Sequence, residues 1–176
     1  MESYLFRNLE AEPDTLVVEG WHHPGSLTRT SGAWIHAAGS AMLEPGDYEI
    51  KPHDQWVWFA VEEGETDLTW QDSVLNLKEE QTCFLPAGEK STFLHCTSQA
   101  RCLWIALEGP LAPMVVRKMG ALLHMPLKQG ALPSQMYLAK QIVQVMVRHS
   151  GTSDATYQLQ HLMYGMLASH WGQPVA

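Results

Sequence analysis

A change of hydrophobic rhythm near Pro110 constrains this chain more than any other feature of its sequence. Before Pro110, short apolar runs are broken by Gly, Pro, Asp and Asn; after it, apolar residues recur at helical spacing. The candidate strands are Tyr4–Leu9, Thr15–Glu19, Ala33–Ala37, Tyr48–Lys51, Gln55–Val61, Asp67–Trp70, Val74–Leu77, Thr82–Leu85, Thr92–His95 and Leu103–Leu107. Strands this short, with turn residues between them, predict an all-β sandwich or barrel. QDS at 71–73 reads as a hairpin turn between two of them.

Beyond Pro110 the spacing predicts a helix over Ala112–Leu123, stopped by Pro126. Pro133 suits the first turn of a second helix running to about Arg148, with Gly151 just past its end. Ser153 can cap a third helix, Asp154–His170. That helix carries one apolar stripe of Ala155, Leu159, Leu162, Met163, Met166 and Leu167, which Leu138, Ile142, Val145 and Met146 of the second helix can cover. Its second stripe, Tyr157, His161, Tyr164, Ala168 and Trp171, faces either a partner subunit or the β-rich part. The fold class is therefore mainly β with C-terminal helices. Residues 1–110 form the β-domain, and 111–176 form a helical segment suited to dimerisation, closed two-fold dimers being the commonest assembly.

Composition excludes several functions. At 176 residues the chain suits one domain or one domain with a small appendage, and its net charge of −8 argues against gripping a phosphate backbone unaided. No apolar run reaches the length of a membrane span, and MESYLFRNLEAEPD lacks the layout of a secretory signal. Cys83, Cys96 and Cys102 are odd in number without C-x-x-C spacing, which predicts free thiols and a cytoplasmic location. G-x-S-x-G, P-loop, G-x-G-x-x-G and H-E-x-x-H motifs are all missing from the sequence.

Segments 51–70 (KPHDQWVWFAVEEGETDLTW) and 80–95 (EQTCFLPAGEKSTFLH) carry a resemblance. They are similar to the two motifs of the cupin barrel, G-x5-H-x-H-x3,4-E-x6-G and G-x5-P-x-G-x2-H-x3-N. With Gly64 as the closing glycine, His53 falls at the second histidine, Lys51 at the first and Val57 at the glutamate. Pro86 and Gly88 make the P-x-G turn, Glu80 stands at the leading glycine, Ser91 at the histidine and His95 at the asparagine. Lys51, Val57 and Ser91 cannot supply the imidazoles and carboxylate of a metal cupin, so the resemblance implies a cupin-like barrel with no metal and no other cofactor. If Val57 points inward, alternation sends Gln55, Phe59 and Val61 with it, and Ser91, Phe93 and His95 from the next strand pair. Together with His53 they make an apolar wall with a few convergent polar groups, as small-molecule pockets have; a filled core is the alternative. Trp34 and His36 share a strand face and join the pocket candidates, while Trp56 and Trp58 lie on the face opposite Val57. Adjacent His22 and His23, beside Pro24-Gly25, read as a surface turn; Glu62-Glu63 and Glu79-Glu80 read as solvated turns.

The order of parts extends the resemblance. A metal-free barrel ending in LWIALEGPLAPMVVRKMGALL (103–123), followed by further helices, resembles the N-terminal domain of AraC-family bacterial transcription regulators. That implies a small-molecule effector inside the barrel, a homodimer formed through the helices, and DNA contact through a helix-turn-helix domain that this sequence does not contain. WGQPVA at 171–176 reads as the start of a linker. The chain is then expected to be a binding module and not an enzyme. The competing expectation is a stand-alone metal-free cupin enzyme acting on a small sugar or acid through His53 and His95.

Overall fold

The computed structural model describes residues 3–9, 16–22, 24–51, 53–88, 91–119, 128–131 and 133–171. In chain order the elements are β1 (Phe6–Asn8), β2 (Leu16–Trp21), α1 (Ser26–Thr30), β3 (Trp34–Leu43), β4 (Gly46–Ile50), β5 (Trp56–Glu63), β6 (Glu65–Trp70) and β7 (Ser73–Lys78). There follow β8 (Gln81–Leu85), β9 (Thr92–Cys96), β10 (Ala100–Glu108), α2 (Ala112–Lys118), β11 (Gln129–Gly130), α3 (Pro133–Arg148) and α4 (Thr156–Trp171). Every strand expected from the sequence has its counterpart. The additions are α1, one turn too short to show periodicity, and the two-residue β11. The expected helix from Ala112 is helical to Lys118; its continuation over 120–123 lies outside the described residues.

Antiparallel pairing builds two sheets, ordered β1-β4-β9-β6-β7 and β11-β8-β5-β10-β3-β2. The fold is thus a cupin-like arrangement of two facing sheets followed by helices. Alternation divides the six-stranded sheet's side chains between two cores. Val57, Phe59 and Val61 of β5 and Cys102, Trp104 and Ala106 of β10 face the five-stranded sheet, meeting Tyr48, Leu68 and Leu94. Trp56, Trp58 and Ala60 of β5 and Leu103 and Ile105 of β10 face outward, where α3 and α4 cover them with Ala139, Ile142, Met146, Leu159, Met163 and Met166. Each large apolar side chain withdrawn from water here contributes roughly 1.5–3 kcal/mol before conformational entropy is counted. The helices are therefore part of the sheet's own core.

Two local features matter later. At Gly20 of β2 the end of α3 comes so near that an added Cβ would stand 2.4 Å from the Met146 carbonyl oxygen. Along β10 the register slips twice. Ala106 pairs with Ala37 while Leu107 pairs with Ile35, leaving His36 as an extra residue of β3. Cys102 pairs with Val61 while Arg101 pairs with Glu63, leaving Glu62 extra in β5. Such bulges bend a strand and re-aim one side chain.

The β6–β7 hairpin turns on Gln71 and Asp72 alone, because Ser73 already pairs with Trp70. On α4 the first expected stripe is the buried one, with Leu162 only partly covered. The second stripe is open: Tyr157 is 74% exposed, Tyr164 is 51% exposed, and His161 and Ala168 are exposed too. It does not pack on the β-rich part; the Trp171 side chain lies outside the described residues. Among the described residues no helix is long and apolar enough to cross a membrane.

Candidate functional site at the barrel mouth

The centre of the barrel is full. A cavity able to admit one water molecule would leave accessible area on its walls, and Val57, Phe59, Val61, Leu68, Leu77, Cys102 and Trp104 have none. Val57 and Phe59 do point inward, as alternation predicts, but they are core side chains, with Phe6 edge-on to Phe59 at 6.4 Å between ring centroids. The alternative of a barrel packed by its own side chains holds at this level.

Polar chemistry gathers instead at one end, where β3, β5 and β10 meet the segment leading into β1. Tyr4 lies across that end. Its ring stacks on Trp104 with centroids 5.4 Å apart and planes 10° from parallel, and it leans on the His36 ring at 5.7 Å. The Tyr4 hydroxyl donates to Gln55 Oε1 at 2.5 Å. Glu108 accepts from Trp34 Nε1 at 3.2 Å, and the same oxygen stands 3.0 Å from His36 Nδ1. Beside Gln55, His53 Nδ1 donates to the Gln55 carbonyl at 2.6 Å, which leaves Nε2 as the acceptor in the neutral ring.

Charge follows from this burial. Tyr4 is held far above the ordinary tyrosine range, first by burial and then by the carboxylates of Glu108, Asp54 and Glu19, so its hydroxyl stays protonated. Burial lowers the His53 pKa and outweighs the opposing hydrogen bond to Gln55 and the charge of Asp54, so the ring is neutral at pH 7. Two polar nitrogens here are shielded from water and lack a hydrogen bond. One is Trp104 Nε1; the other is His36 Nδ1, whose approach to Glu108 is close but poorly aligned. Buried groups of this kind are exceptional in folded proteins and call for an explanation.

The segment around Tyr4 is fastened mainly through other atoms. Tyr4 N donates to Glu19 Oε1 at 2.7 Å, Ser3 Oγ donates to Glu19 Oε2 at 3.0 Å, and Lys51 Nζ donates to the Ser3 carbonyl at 2.6 Å. Leu5 and Phe6 are sunk in the inner core at 1% and 5% exposure. The Tyr4 side chain can therefore swing away without unseating β1.

Of the residues expected in a pocket, Trp34, His36, His53 and Gln55 do converge. Ser91, Phe93 and His95 do not, and this is a correction. They share a face as alternation requires, but it is the outer one, because Thr92, Leu94 and Cys96 fill the inner core. Phe93 is 44% exposed; His95 Nδ1 sits 2.7 Å from Asp47 Oδ1 on the surface, and Ser91 Oγ donates to Glu49 Oε1 at 2.5 Å. The motif alignment implies one phase for this strand, and Leu94, which pairs with buried Tyr48 and Leu68, sets the other. His22 is a second correction: it is 4% exposed, and its N–H donates to the His36 carbonyl at 2.8 Å, prolonging the β2–β3 ladder. His23 lies outside the described residues. Glu62 is a third, since it continues the outward parity of Trp58 and Ala60, lies 2.6 Å from Lys140 Nζ and is only 17% exposed in its side chain.

Sequence reasoning missed Tyr4 and Glu108. For Glu108 a signal existed, since it shares the parity of Trp104 and Ala106 on the inner face of β10. For Tyr4 there was none. All three cysteines are buried and free, and burial pushes the Cys83 thiol up to about 12, which keeps it from acting as a nucleophile. Among the described residues, no three His, Cys, Asp or Glu side chains are placed to share a metal ion.

No known family profile matches the sequence, and no curated protein does either. Solved structures do. A cupin domain of an XRE-family transcriptional regulator from Enterobacter cloacae is 17% identical over 53% of this chain and 96% of its own, with a TM-score of 0.41. The cupin domain of Schizosaccharomyces pombe Cnp3 is 9% identical over 65% of this chain and 77% of its own, with a TM-score of 0.42. A mutant of Bacillus subtilis oxalate decarboxylase OxdC is 16% identical over 62% of this chain and 30% of its own, also at 0.42. Regulator-associated and enzyme-associated proteins thus stand side by side among these structures.

Proposed function

We propose that the chain is the small-molecule-sensing and dimerising domain of a bacterial transcription regulator, with its effector site at the barrel mouth where the Tyr4 ring now lies. DNA contact then belongs to a separate helix-turn-helix domain, as the resemblance to AraC-family regulators implies. The observation that carries the reading is the shielded, unbonded Trp104 Nε1, on the ring that Tyr4 stacks against and beside the His36–Glu108 pair. A ring-shaped effector with hydroxyl or carbonyl groups would take over the stack on Trp104 and the hydrogen bond to Gln55. It would also give Trp104 Nε1 a partner. By competing with Tyr4 it shifts the arrangement of the first strand, and it does so only by the difference in its affinity for the two arrangements.

The experiment uses the excised side chain as the probe. Tyr4→Ala leaves a cradle shaped for p-cresol. At ten times its dissociation constant p-cresol should stabilise the variant by about 1.4 kcal/mol, roughly 3–6 °C in melting temperature for a chain of this size. The native chain, its cradle filled, should respond to p-cresol far less. An equal response of both proteins, or none in either, defeats the assignment of the mouth as a ligand site.

A further inference from the structure

The second break in register, at Glu62, borders a groove that is separate from the mouth. About 360 Å³ in volume, it lies between α3 and the outer face of β2, β3 and β10. Its floor is apolar. Leu16 and Val18 stand 68% and 40% exposed on the edge strand β2, and Leu103 and Val143 close the inner end. Its charged lining consists of Arg101, Lys140 and Glu62, with Glu63 just outside, so each cation has a carboxylate neighbour. Lys140 Nζ is 2.6 Å from Glu62 Oε1. Arg101 is anchored from outside the groove, by Nη1 to Glu63 Oε1 at 3.2 Å, and has no other partner among the described residues. Most of a guanidinium fork, the side-chain group best matched to a carboxylate, is left over at the edge of an apolar trough.

We propose that this groove binds a small amphipathic carboxylate, its anionic head on Arg101 and Lys140 and its apolar body along Leu16, Val18, Leu103 and Val143. The volume is near the lower end of small-molecule pockets, roughly 300–1,000 Å³, so the ligand is a short acyl or aryl acid. Charge complementarity selects the class. An alcohol of the same shape leaves the guanidinium N–H groups not held by Glu63 without an anionic partner, and an amine meets repulsion from them. Glu62 continues the outward parity of Trp58 and Ala60 and lies 2.6 Å from Lys140 Nζ, so that the ammonium is held at the rim.

The test is a methyl NMR titration of the whole chain with sodium octanoate, octanol and octylamine. Octanoate should shift the methyls of Leu16, Val18, Leu103 and Val143 saturably, and octanol should bind about tenfold more weakly or worse. Arg101→Gln should weaken octanoate by about tenfold to a hundredfold, the range for a charge-assisted hydrogen bond. Glu62→Gln, which frees Lys140, should tighten it severalfold, a change of sign that loss of structure cannot imitate. Should Arg101→Gln disturb the spectrum away from the groove, Lys140→Gln serves in its place with the same expectation. Absence of saturable shifts in the millimolar range overturns the proposal. So does parity of octanol with octanoate, indifference to the charge substitutions, or ligand-free, concentration-dependent shifts that mark a second copy on β2.

Discussion

Gly20→Ala tests how the helices are joined to the sheet. Gly20 pairs with Ala38 in the β2–β3 ladder, and its backbone has no conformation peculiar to glycine, so the substitution acts through space alone. The added methyl would stand 2.4 Å from the Met146 carbonyl oxygen, 2.7 Å from the carbonyl carbon and 3.0 Å from Val147 N, where ordinary contact begins near 3.4 Å. All three are backbone atoms, so no side chain can rotate away. The end of α3 must retreat by roughly 1 Å, a gap that forfeits a quarter to a half of the dispersion energy of each contact it opens. Two hydrogen bonds resist that retreat, Gly151 N to the Trp21 carbonyl at 2.9 Å and Trp21 N to Ser150 Oγ at 3.2 Å. Overpacking costs about 1–3 kcal/mol, and a backbone-to-backbone clash belongs at the upper end. For a chain of this size about 3 kcal/mol lowers the melting temperature by roughly 6–12 °C. Thermal unfolding followed by circular dichroism measures it, with Gly130→Ala, whose Cβ would meet nothing within 4 Å, as the control within about 0.5 kcal/mol. If Gly20→Ala melted with the control, the close docking of α3 on β2 would be refuted.

Burial lowers the His53 pKa, so in mild acid the unfolded chain takes up a proton that the folded chain refuses. The stabilisation is complete above the unfolded value of about 6.5 and is lost as pH falls through the lower folded value; urea titrations should show a smaller drop from pH 7.5 to pH 5 for His53→Gln than for the native chain, and an equal drop would sink the assignment. The open stripe of α4 predicts self-association: Tyr164→Asp, at a position 51% exposed, should leave the melting temperature nearly unchanged while converting a dimer to a monomer in sedimentation velocity. A native chain that sediments as a monomer at every concentration would refute this.

Much of the fold was legible because apolar alternation and helical spacing are properties of short windows. The helix Pro133–Arg148 was legible in its approximate extent, since a first-turn proline and Gly151, at φ +77°, bracket it. Trp56 and Trp58 were correctly assigned to the face away from Val57, and the C-terminal helices cover them. What period alone cannot supply is phase. In β9 both parities are plausible, with Phe93 on one and Leu94 on the other, and the partners decide. Leu94 pairs with buried Tyr48 and Leu68, whereas Phe93 pairs with Glu49 and Thr69, so the strand turns Leu94 inward and carries Ser91 and His95 out with Phe93. The bulges at His36 and Glu62 were invisible for a related reason. A bulge is a mismatch between two strands, and no single strand records it.

The filled barrel explains why the candidate chemistry lies where it does. A barrel whose inner positions are Val57, Phe59, Val61, Leu68 and Trp104 has no room for a ligand at its centre, so any polar work must be done at its rim or on its outer face. A perfect ladder would supply little there, because strict alternation commits each residue to one packed core or the other. The slip at His36 releases one side chain from that commitment, and it meets Tyr4 and Glu108. At the other end Glu62 keeps its outward parity and meets Lys140 where the helical cover thins. Deleting His36 would remove its side chain from the mouth while Ile35 and Ala37 keep the faces they already hold, and would leave β5 and Glu62 in place. The two places are thus separable by sequence, since His36 belongs to β3 and Glu62 to β5.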